Sequence, residues 1–358
     1  MFNVTTALPT ENATYERPFD EIGIAVSAFI ILAFLVFGIV GNGLTFAVIV
    51  TYRMLSENIF MRFILSLCVS DLISALISWL FLYRRTWGFD VWAPLPDIFC
   101  KFYWAADIMT SFVTALHIFS FAVLRLISIQ FFAVYNKIKI RHGNIWIACI
   151  WVLSFLCGFL PSWFIFGAGE RDRFGDTPDA RWPACTVLYD QLVAYSYFQK
   201  ISYTIFLYLP LVGVVVVCSA IVFIVRIKSR KVAPSKKCEK RQKREKQVVL
   251  QLLLIMASFL IGYIPFTAYE FWGNQDLPKT PYYRFADYWF GMIEYFFLRF
   301  SEVLNPLFYN LGSAKMRKHT KKFIKTKMLC CINWKKRTIS HSVPTTLERS
   351  SSAVNNGA

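Results

Sequence analysis

Long apolar stretches with few or no charged side chains are the feature that most limits how this chain can fold. Six of them, each with at most one charged residue, cover residues 22–52, 63–83, 102–124, 143–169, 201–225 and 247–269. A seventh, 288–310, is as long but contains Glu294, Arg299 and Glu302. A bilayer core needs about 20 apolar residues per helix. We number the stretches spans 1 to 7, and they predict an all-α membrane protein, a seven-transmembrane helix bundle over residues 22–310.

The charge distribution predicts the orientation of this bundle. The segments 226–247 and 311–358 each contain 11 Lys and Arg, whereas 1–21 and 170–190 lean acidic. Because basic segments stay on the cytoplasmic side, we expect a plasma-membrane protein with an extracellular N-terminus and a cytoplasmic C-terminus. The net charge of +17 therefore requires no nucleic acid, and membrane lipids are its natural partner.

The two ends of the chain carry signals for modification. The sequons at Asn3 and Asn12 predict glycosylation of the extracellular segment 1–21. At the other end, residues 311–331 are basic and amphipathic, which predicts a short helix, helix 8, along the inner membrane surface. Its last residues, Cys330 and Cys331, fit palmitoylation, and residues 332–358 are expected to form a disordered cytoplasmic tail.

Every span carries residues that together form an ordered series. They are Gly41-Asn42, Asp71, Arg125, Trp151 with Pro161, Pro210, Phe259 with Pro265, and Asn305-Pro306-Leu307-Phe308-Tyr309. With these marks, residues 20–331 resemble the rhodopsin-like (class A) G-protein-coupled receptors. The resemblance implies a receptor, not an enzyme, that transduces an extracellular peptide or amine-like ligand into heterotrimeric G-protein activation by outward movement of span 6. Cys100 and Cys185, both on the oxidising outer side, match the family disulfide.

The predicted activation switch departs from the family pattern. The family's Asp-Arg-Tyr triplet is Leu124-Arg125-Leu126 here, so the usual acidic neighbour of the arginine is missing. The resemblance implies that Arg125 instead bridges to Glu245 at the inner start of span 6. The alternative is that Glu245 pairs within its own basic run. Pro306 and Tyr309 of the span 7 motif complete the switch.

A polar group in the middle of the bundle resembles the family's sodium pocket. Its members are Asp71, Thr114, Ser301 and Asn305, with Glu302 as an additional acid. Because a carboxylate inside a membrane is costly, we expect it to bind Na⁺ or a proton, with a structural hydrogen bond as the alternative. No other cofactor is expected, and retinal is disfavoured because residues 288–310 contain no lysine for a Schiff base.

The predicted ligand pocket lies on the extracellular side of this polar group. In the resembling amine receptors, the aspartate at the place of Asp107 pairs with the ligand ammonium, and Ser202 matches a position that binds ligand hydroxyls. An aromatic wall and an opposing cation complete the pocket: Tyr263, Phe266, Tyr295 and Arg299. Three alternatives stay open here: Asp107 pairs with Arg299, an amine binds Asp107, or a peptide or anionic ligand binds Arg299.

Other readings of the chain concern partners and function. The serines and threonines between Thr338 and Ser352 fit phosphorylation and arrestin binding, or an ordinary polar tail. Charged residues inside the spans raise a membrane transporter as an alternative function. Leu124 and Leu126, which replace the family's acid and tyrosine, suggest a second alternative function, that of a receptor-like scavenger that does not couple to G proteins.

Overall fold

Six membrane-length helices dominate the structure. The computed structural model describes residues 21–56, 59–81, 96–172, 181–230, 236–273 and 281–328. Within these residues the helices long and apolar enough to cross a membrane are Glu21–Thr51, Ile59–Phe81, Asp97–Gln130, Ile140–Ile165, Tyr189–Ile227 and Leu252–Gly273. They correspond in order to spans 1 to 6 and confirm the predicted helical membrane fold.

Span 7 is a helix of 32 residues, Pro281–Gly312, which is longer than a bilayer requires. Its composition is less apolar because it carries charged side chains. Glu294, Arg299 and Glu302 are nevertheless buried among neighbouring helices. The charges that weaken the hydropathy signal therefore face the interior of the bundle and not lipid.

Within the described residues, the regular structure consists of eleven α-helices and two strands, beside short 3₁₀ and π-helical segments. The helices are α1 (Glu21–Thr51), α2 (Ile59–Ile77), α3 (Asp97–Gln130), α4 (Phe132–Tyr135), α5 (Ile140–Ser154), α6 (Leu160–Ile165), α7 (Leu192–Phe198), α8 (Leu209–Arg230), α9 (Lys236–Gly273), α10 (Pro281–Gly312) and α11 (Ala314–Phe323). The strands are β1 (Phe166–Asp172) and β2 (Arg181–Val187). Span 6 is the outer part of α9.

Spans 4 and 5 each contain a wider π-helical segment. These segments, Phe155–Phe159 and Gln199–Tyr208, end two residues before Pro161 and Pro210. Proline has no N–H to donate to the carbonyl one turn earlier. The helix therefore reorganises its hydrogen bonds just before each proline, and side chains in the π segment rotate relative to a regular helix.

A hairpin is fixed to the N-terminal end of span 3, the end that is predicted to be extracellular. Strands β1 and β2 are antiparallel, with Ala168 opposite Cys185. The predicted Cys100–Cys185 disulfide is present. In addition, the Ala168 N–H donates to Asp97 Oδ1 at 2.8 Å, and Trp104 Nε1 donates to the Cys185 carbonyl at 3.4 Å. Three independent links therefore hold this hairpin at the mouth of the bundle.

Spans 2, 3 and 4 meet at a polar junction around Ser66. Trp151 Nε1 donates to Ser66 Oγ at 2.8 Å, and His117 Nε2 lies 2.9 Å from the same oxygen. His117 Nδ1 lies 2.8 Å from the Val113 carbonyl, so Nδ1 carries the proton and Nε2 accepts from the Ser66 hydroxyl. One hydroxyl group thus joins three helices.

At the inner end, α11 begins directly after span 7. Ser313 Oγ accepts from the Met316 N–H at 3.2 Å and caps the helix, so α11 begins at Ala314, later than the predicted 311. The His319 ring packs at a tilt against the Tyr52 ring, with centroids 4.4 Å apart, and burial together with neighbouring lysines lowers the pKa of His319. Asn3, Asn12, Cys330 and Cys331 lie outside the described residues.

Candidate functional site

Asp107 and Arg299 form an ion pair across the bundle. Arg299 Nη2 contacts Asp107 Oδ1, joining span 7 to span 3. The Arg299 side chain is 2% exposed, and that of Asp107 is 13% exposed. The structure thus contains the internal pair among the three alternatives, with Asp107 as its more accessible member.

Glu302 holds the other side of the same guanidinium. Arg299 Nη1 donates to Glu302 Oε2 at 2.9 Å, and the Ser74 hydroxyl donates to that oxygen at 2.6 Å. The Arg299 guanidinium also lies over the Tyr295 ring, with Cζ 4.6 Å from its centroid. Two carboxylates and an aromatic face therefore surround a nearly fully buried cation, as a charge inside a membrane requires.

A small cavity lies between this ion pair and Asp71. It offers about 10 Å³ to the centre of a water molecule and is lined in part by Asn42, Asp71, Arg299 and Glu302. Asp71 Oδ2 accepts from Asn305 Nδ2 at 3.0 Å. The oxygens Asn42 Oδ1, Asp71 Oδ1 and Glu302 Oε1 are buried and receive no hydrogen bond from the described part of the chain. The cavity is thus rich in acceptors.

The predicted sodium pocket is assembled only in part at this cavity. Asp71 and Glu302 line it, and Asn305 binds Asp71. Thr114 Oγ1 instead lies 3.3 Å from Ser70 Oγ, and Ser301 Oγ donates to the Leu298 carbonyl of its own helix at 2.7 Å. Oxygen acceptors without donors are nevertheless suitable for a hard cation, so the residues present fit Na⁺ through Asn42, Asp71 and Glu302.

The predicted aromatic wall consists of residues with different roles. Tyr263 is buried and its hydroxyl donates to the Ser111 carbonyl of span 3 at 3.1 Å. Tyr295 stacks on Phe81 with centroids 3.6 Å apart. Phe266 is half-buried and lies 6.4 Å from the Tyr263 ring. Phe266 is therefore the member of the three with the most accessible face.

Ser202 lies in the π-helical segment of span 5 and is half-buried. Its neighbour Tyr203 is buried, with its ring centroid 6.0 Å from Phe112 and 6.1 Å from Phe266. The altered rotation of this segment thus brings Tyr203 into the aromatic core. The role of Ser202 in binding ligand hydroxyls stays a prediction.

The predicted switch residues lie at the inner ends of spans 3 and 7. The Arg125 guanidinium lies over the Phe60 ring, with Cζ 4.2 Å from its centroid. Burial raises the pKa of the Tyr135 hydroxyl, and the nearby charge of Arg125 opposes that shift. Glu245 lies in α9, but its side chain is outside the described part of the structure, so the Arg125–Glu245 bridge stays a prediction. Tyr309 is fully buried.

Three partners of the site were not found from the sequence. Ser74 binds Glu302, Asn42 lines the cavity and Phe60 contacts Arg125. Ser74 follows Asp71 by three residues, so helical spacing alone places both on one face of span 2. Phe60 has no comparable signal, because its contact depends on how spans 2 and 3 are rotated against each other.

The fold and this buried charge cluster define a seven-helix membrane receptor. The family profile described as "7 transmembrane receptor (rhodopsin family)" matches residues 41–309, which is more than half of the chain. The chain therefore belongs to the rhodopsin family of seven-transmembrane receptors, as its sequence marks predicted.

Individual relatives are similar at low identity over most of the chain. The D(1B) dopamine receptor of Mus musculus is 26% identical, with the alignment covering 92% of this chain and 76% of the relative. The neurotensin receptor type 1 of Homo sapiens is 24% identical, covering 86% of this chain and 76% of the relative. The chain is thus a G-protein-coupled receptor, not an enzyme, in a multi-pass membrane location.

Proposed function

We propose that this receptor responds to an extracellular ligand whose cationic group, from an amine or a peptide, competes with Arg299 for Asp107. The supporting observation is the Asp107–Arg299 ion pair, in which Asp107 is the more exposed member. The relatives named for dopamine and neurotensin fit an amine or a peptide ligand.

The difference in exposure favours a cation over an anion. An anionic ligand would have to reach Arg299, which is enclosed by Glu302 and Tyr295 as well as by Asp107. A cationic ligand needs only Asp107. The side chain of Phe266 offers an accessible aromatic face, which suits a cation of moderate size.

The signal then passes to the cytoplasmic side by outward movement of the inner end of span 6. In this proposal Arg125 becomes free for the G protein when the resting contacts of spans 3 and 6 open. The same proposal includes the orientation of the chain, with an extracellular N-terminus and a cytoplasmic tail. It also includes arrestin binding to that tail and the attraction of the basic inner surface to anionic lipids. Asn42, Asp71 and Glu302 would hold Na⁺ or a proton, which would offset buried negative charge.

A ligand screen on three receptors tests the proposed ligand class. Amines, peptides and lipids are applied to wild type, Asp107→Asn and Arg299→Gln, and nucleotide exchange is measured on a panel of G proteins. A cationic ligand should lose about 100-fold or more in potency on Asp107→Asn, because its charge partner is gone. The same ligand should bind Arg299→Gln more tightly than wild type, since its internal competitor is removed.

The matched control is Thr204→Ala, two residues after Ser202 on the exposed side of span 5, which should leave potency unchanged. Loss of potency on Arg299→Gln with unchanged potency on Asp107→Asn would show that the ligand is an anion that binds Arg299. Equal loss on both variants would make the pair purely structural. A receptor that binds ligand without nucleotide exchange on any G protein would support the scavenger.

A further inference from the structure

Arg299 lies between carboxylates at two depths in the bundle. Nη2 contacts Asp107, seven residues inward from the outer Cys100, whereas Nη1 donates to Glu302, three residues further inward on span 7. The contact with Glu302 is made within one helix, so it persists when spans 3 and 7 shift against each other. Glu302 is itself fixed by the Ser74 hydroxyl. The guanidinium is thus held on one side and can turn on the other.

The cavity beside Arg299 presents acceptors that lack donors. Within the described residues, Asp71 Oδ1, Glu302 Oε1 and Asn42 Oδ1 are buried without a hydrogen bond, and so is the donor Arg299 Nε. A buried acceptor without a donor is costly. All four side chains line the same cavity, so the missing donors would be supplied by an N–H group entering it.

The size of the cavity limits what can enter. About 10 Å³ open to the centre of a water molecule is close to the room that one water molecule needs, and a guanidinium amino group is similar in size to a water molecule. The whole guanidinium would not fit. The motion that the space allows is therefore a rotation of the planar guanidinium about Nη1, which stays on Glu302, so that only Nη2 enters the cavity.

The charges give this motion a direction. Three carboxylates, Asp71, Asp107 and Glu302, face a single guanidinium in the cluster. With Nη2 on Asp107, the neutral Asn305 is the only hydrogen-bond donor to the Asp71 carboxylate among the residues that the structure describes. A second cation arriving at Asp107 would repel Arg299, and Asp71 would attract it.

We propose that Arg299 is a relay: when a cationic ligand group occupies Asp107, Nη2 turns about the Glu302 contact into the cavity and binds Asp71. This inference rests on the proposed function and adds the mode of regulation of the same site. The Arg299 Nη2 group then competes with the Asn305 side chain for the Asp71 carboxylate. Asn305 directly precedes Pro306, which lies inside span 7, so the ligand signal reaches the inner part of that helix.

A thermal unfolding cycle on the purified full-length receptor tests the relay without a ligand. Asp107→Asn serves as the surrogate for an occupied Asp107, because it releases Nη2. In wild type and in Na⁺-free buffer, Asp71→Asn should raise the unfolding temperature or leave it unchanged, since without Na⁺ it removes a buried charge that has no cationic partner. In the Asp107→Asn background the same substitution should lower it by about 5 °C or more, because Asp71 now pairs with Arg299.

Two further backgrounds make the result specific. In Asp107→Asn/Arg299→Gln, the Asp71→Asn substitution should no longer lower the unfolding temperature. Ser78→Ala is the matched control, because Ser78 lines the same cavity but its hydroxyl donates to Ala75 of its own helix, and its effect should be equal in all backgrounds. If Asp107→Asn does not survive purification, the same comparison is made by counting tagged receptors on intact cells at graded temperatures.

An effect of Asp71→Asn with the same sign and size in every background overturns the relay. The outcome is separable from the proposed function, because the cycle contains no ligand and no G protein. A ligand screen that shows no dependence on Asp107 refutes the cationic ligand, whereas the sign reversal decides only whether Arg299 transfers between the two carboxylates.

Discussion

At the scale of single residues, the inner end of span 3 is distinguished by an arginine whose usual acidic neighbour is a leucine and whose contact is an aromatic ring of span 2. Leu124 is fully buried in the core and offers Arg125 no charge partner. The guanidinium instead lies over Phe60, whose ring is 6.4 Å from that of Tyr135. An arginine over an aromatic face is stabilised by about 1 kcal/mol. The resting position of Arg125 is therefore held by a weak and mainly electrostatic contact.

Removing the aromatic face should raise basal signalling. Phe60→Leu keeps most of the apolar volume but removes the π system, so we expect a roughly fivefold shift toward the signalling state, as about 1 kcal/mol implies. The measurement is ligand-independent nucleotide exchange, normalised to surface expression. Phe60→Tyr retains the ring and should behave as wild type. A similar rise in both variants would point to lost packing and not to the contact with Arg125.

The residues of the charge cluster could be predicted from the sequence, but their partners could only partly be predicted. Charges inside apolar stretches identify Asp71, Asp107, Arg299 and Glu302 without any structure. The sequence left open whether Asp107 meets Arg299 or a ligand, because both satisfy a buried carboxylate. The contact of Ser74 with Glu302 depends on the approach of spans 2 and 7, which no spacing within one span can fix.

At the scale of helices, spans 6 and 7 approach closely at a glycine. A Cβ atom on Gly262 would lie 2.5 Å from Ser301 Oγ and 2.8 Å from Ser301 Cβ. The Ser258 hydroxyl, one turn away, donates to the Ser301 carbonyl at 2.8 Å. Only a residue without a side chain fits at this crossing, so the inner halves of spans 6 and 7 are in direct contact.

Filling this space should destabilise the receptor. Gly262→Ala is expected to cost about 1–3 kcal/mol, as overpacking of a tight core does, and thermal unfolding in detergent measures the loss. Gly43→Ala is the matched control, because a Cβ there meets nothing within 4 Å. In a Ser301→Gly background the Gly262→Ala substitution should cost less. An equal cost in both backgrounds would contradict the contact.

The π-helical segments show where helix prediction from sequence reaches its limit. The spans of the predicted bundle agree with the observed helices because length and hydropathy are set by the bilayer. The rotation of Ser202 and Tyr203 is set by the wider turns ahead of Pro210. Proline predicts a disturbance but not which carbonyl is released, so the face presented by span 5 could not be derived.

At the scale of the whole molecule, charge is distributed unevenly along the chain. The segments 226–247 and 311–358 carry most of the excess of basic residues. The hairpin of β1 and β2 and the Cys100–Cys185 disulfide belong to the opposite end of the bundle, where an oxidising environment is needed. Both observations fit an N-terminus outside the cell and a C-terminus inside.

Epitope tags at the two ends test this orientation. An N-terminal tag should be stained on intact cells, and a C-terminal tag only after permeabilisation, because the basic segments resist translocation. A tag inserted beside Glu170 should be stained like the N-terminal one. Staining of both termini under the same condition would contradict an odd number of crossings and with it the assignment of inner and outer sites.

The junction at Ser66 has a consequence for what surrounds the receptor. Since one hydroxyl ties spans 2, 3 and 4 together, we expect these helices to form a fixed frame and, in the proposed mechanism, the shape change on activation to be confined to spans 5 to 7. We therefore expect neighbouring lipids and receptors along spans 5 to 7 to sense the activation state, whereas neighbours along spans 2 to 4 meet the same contour in both states.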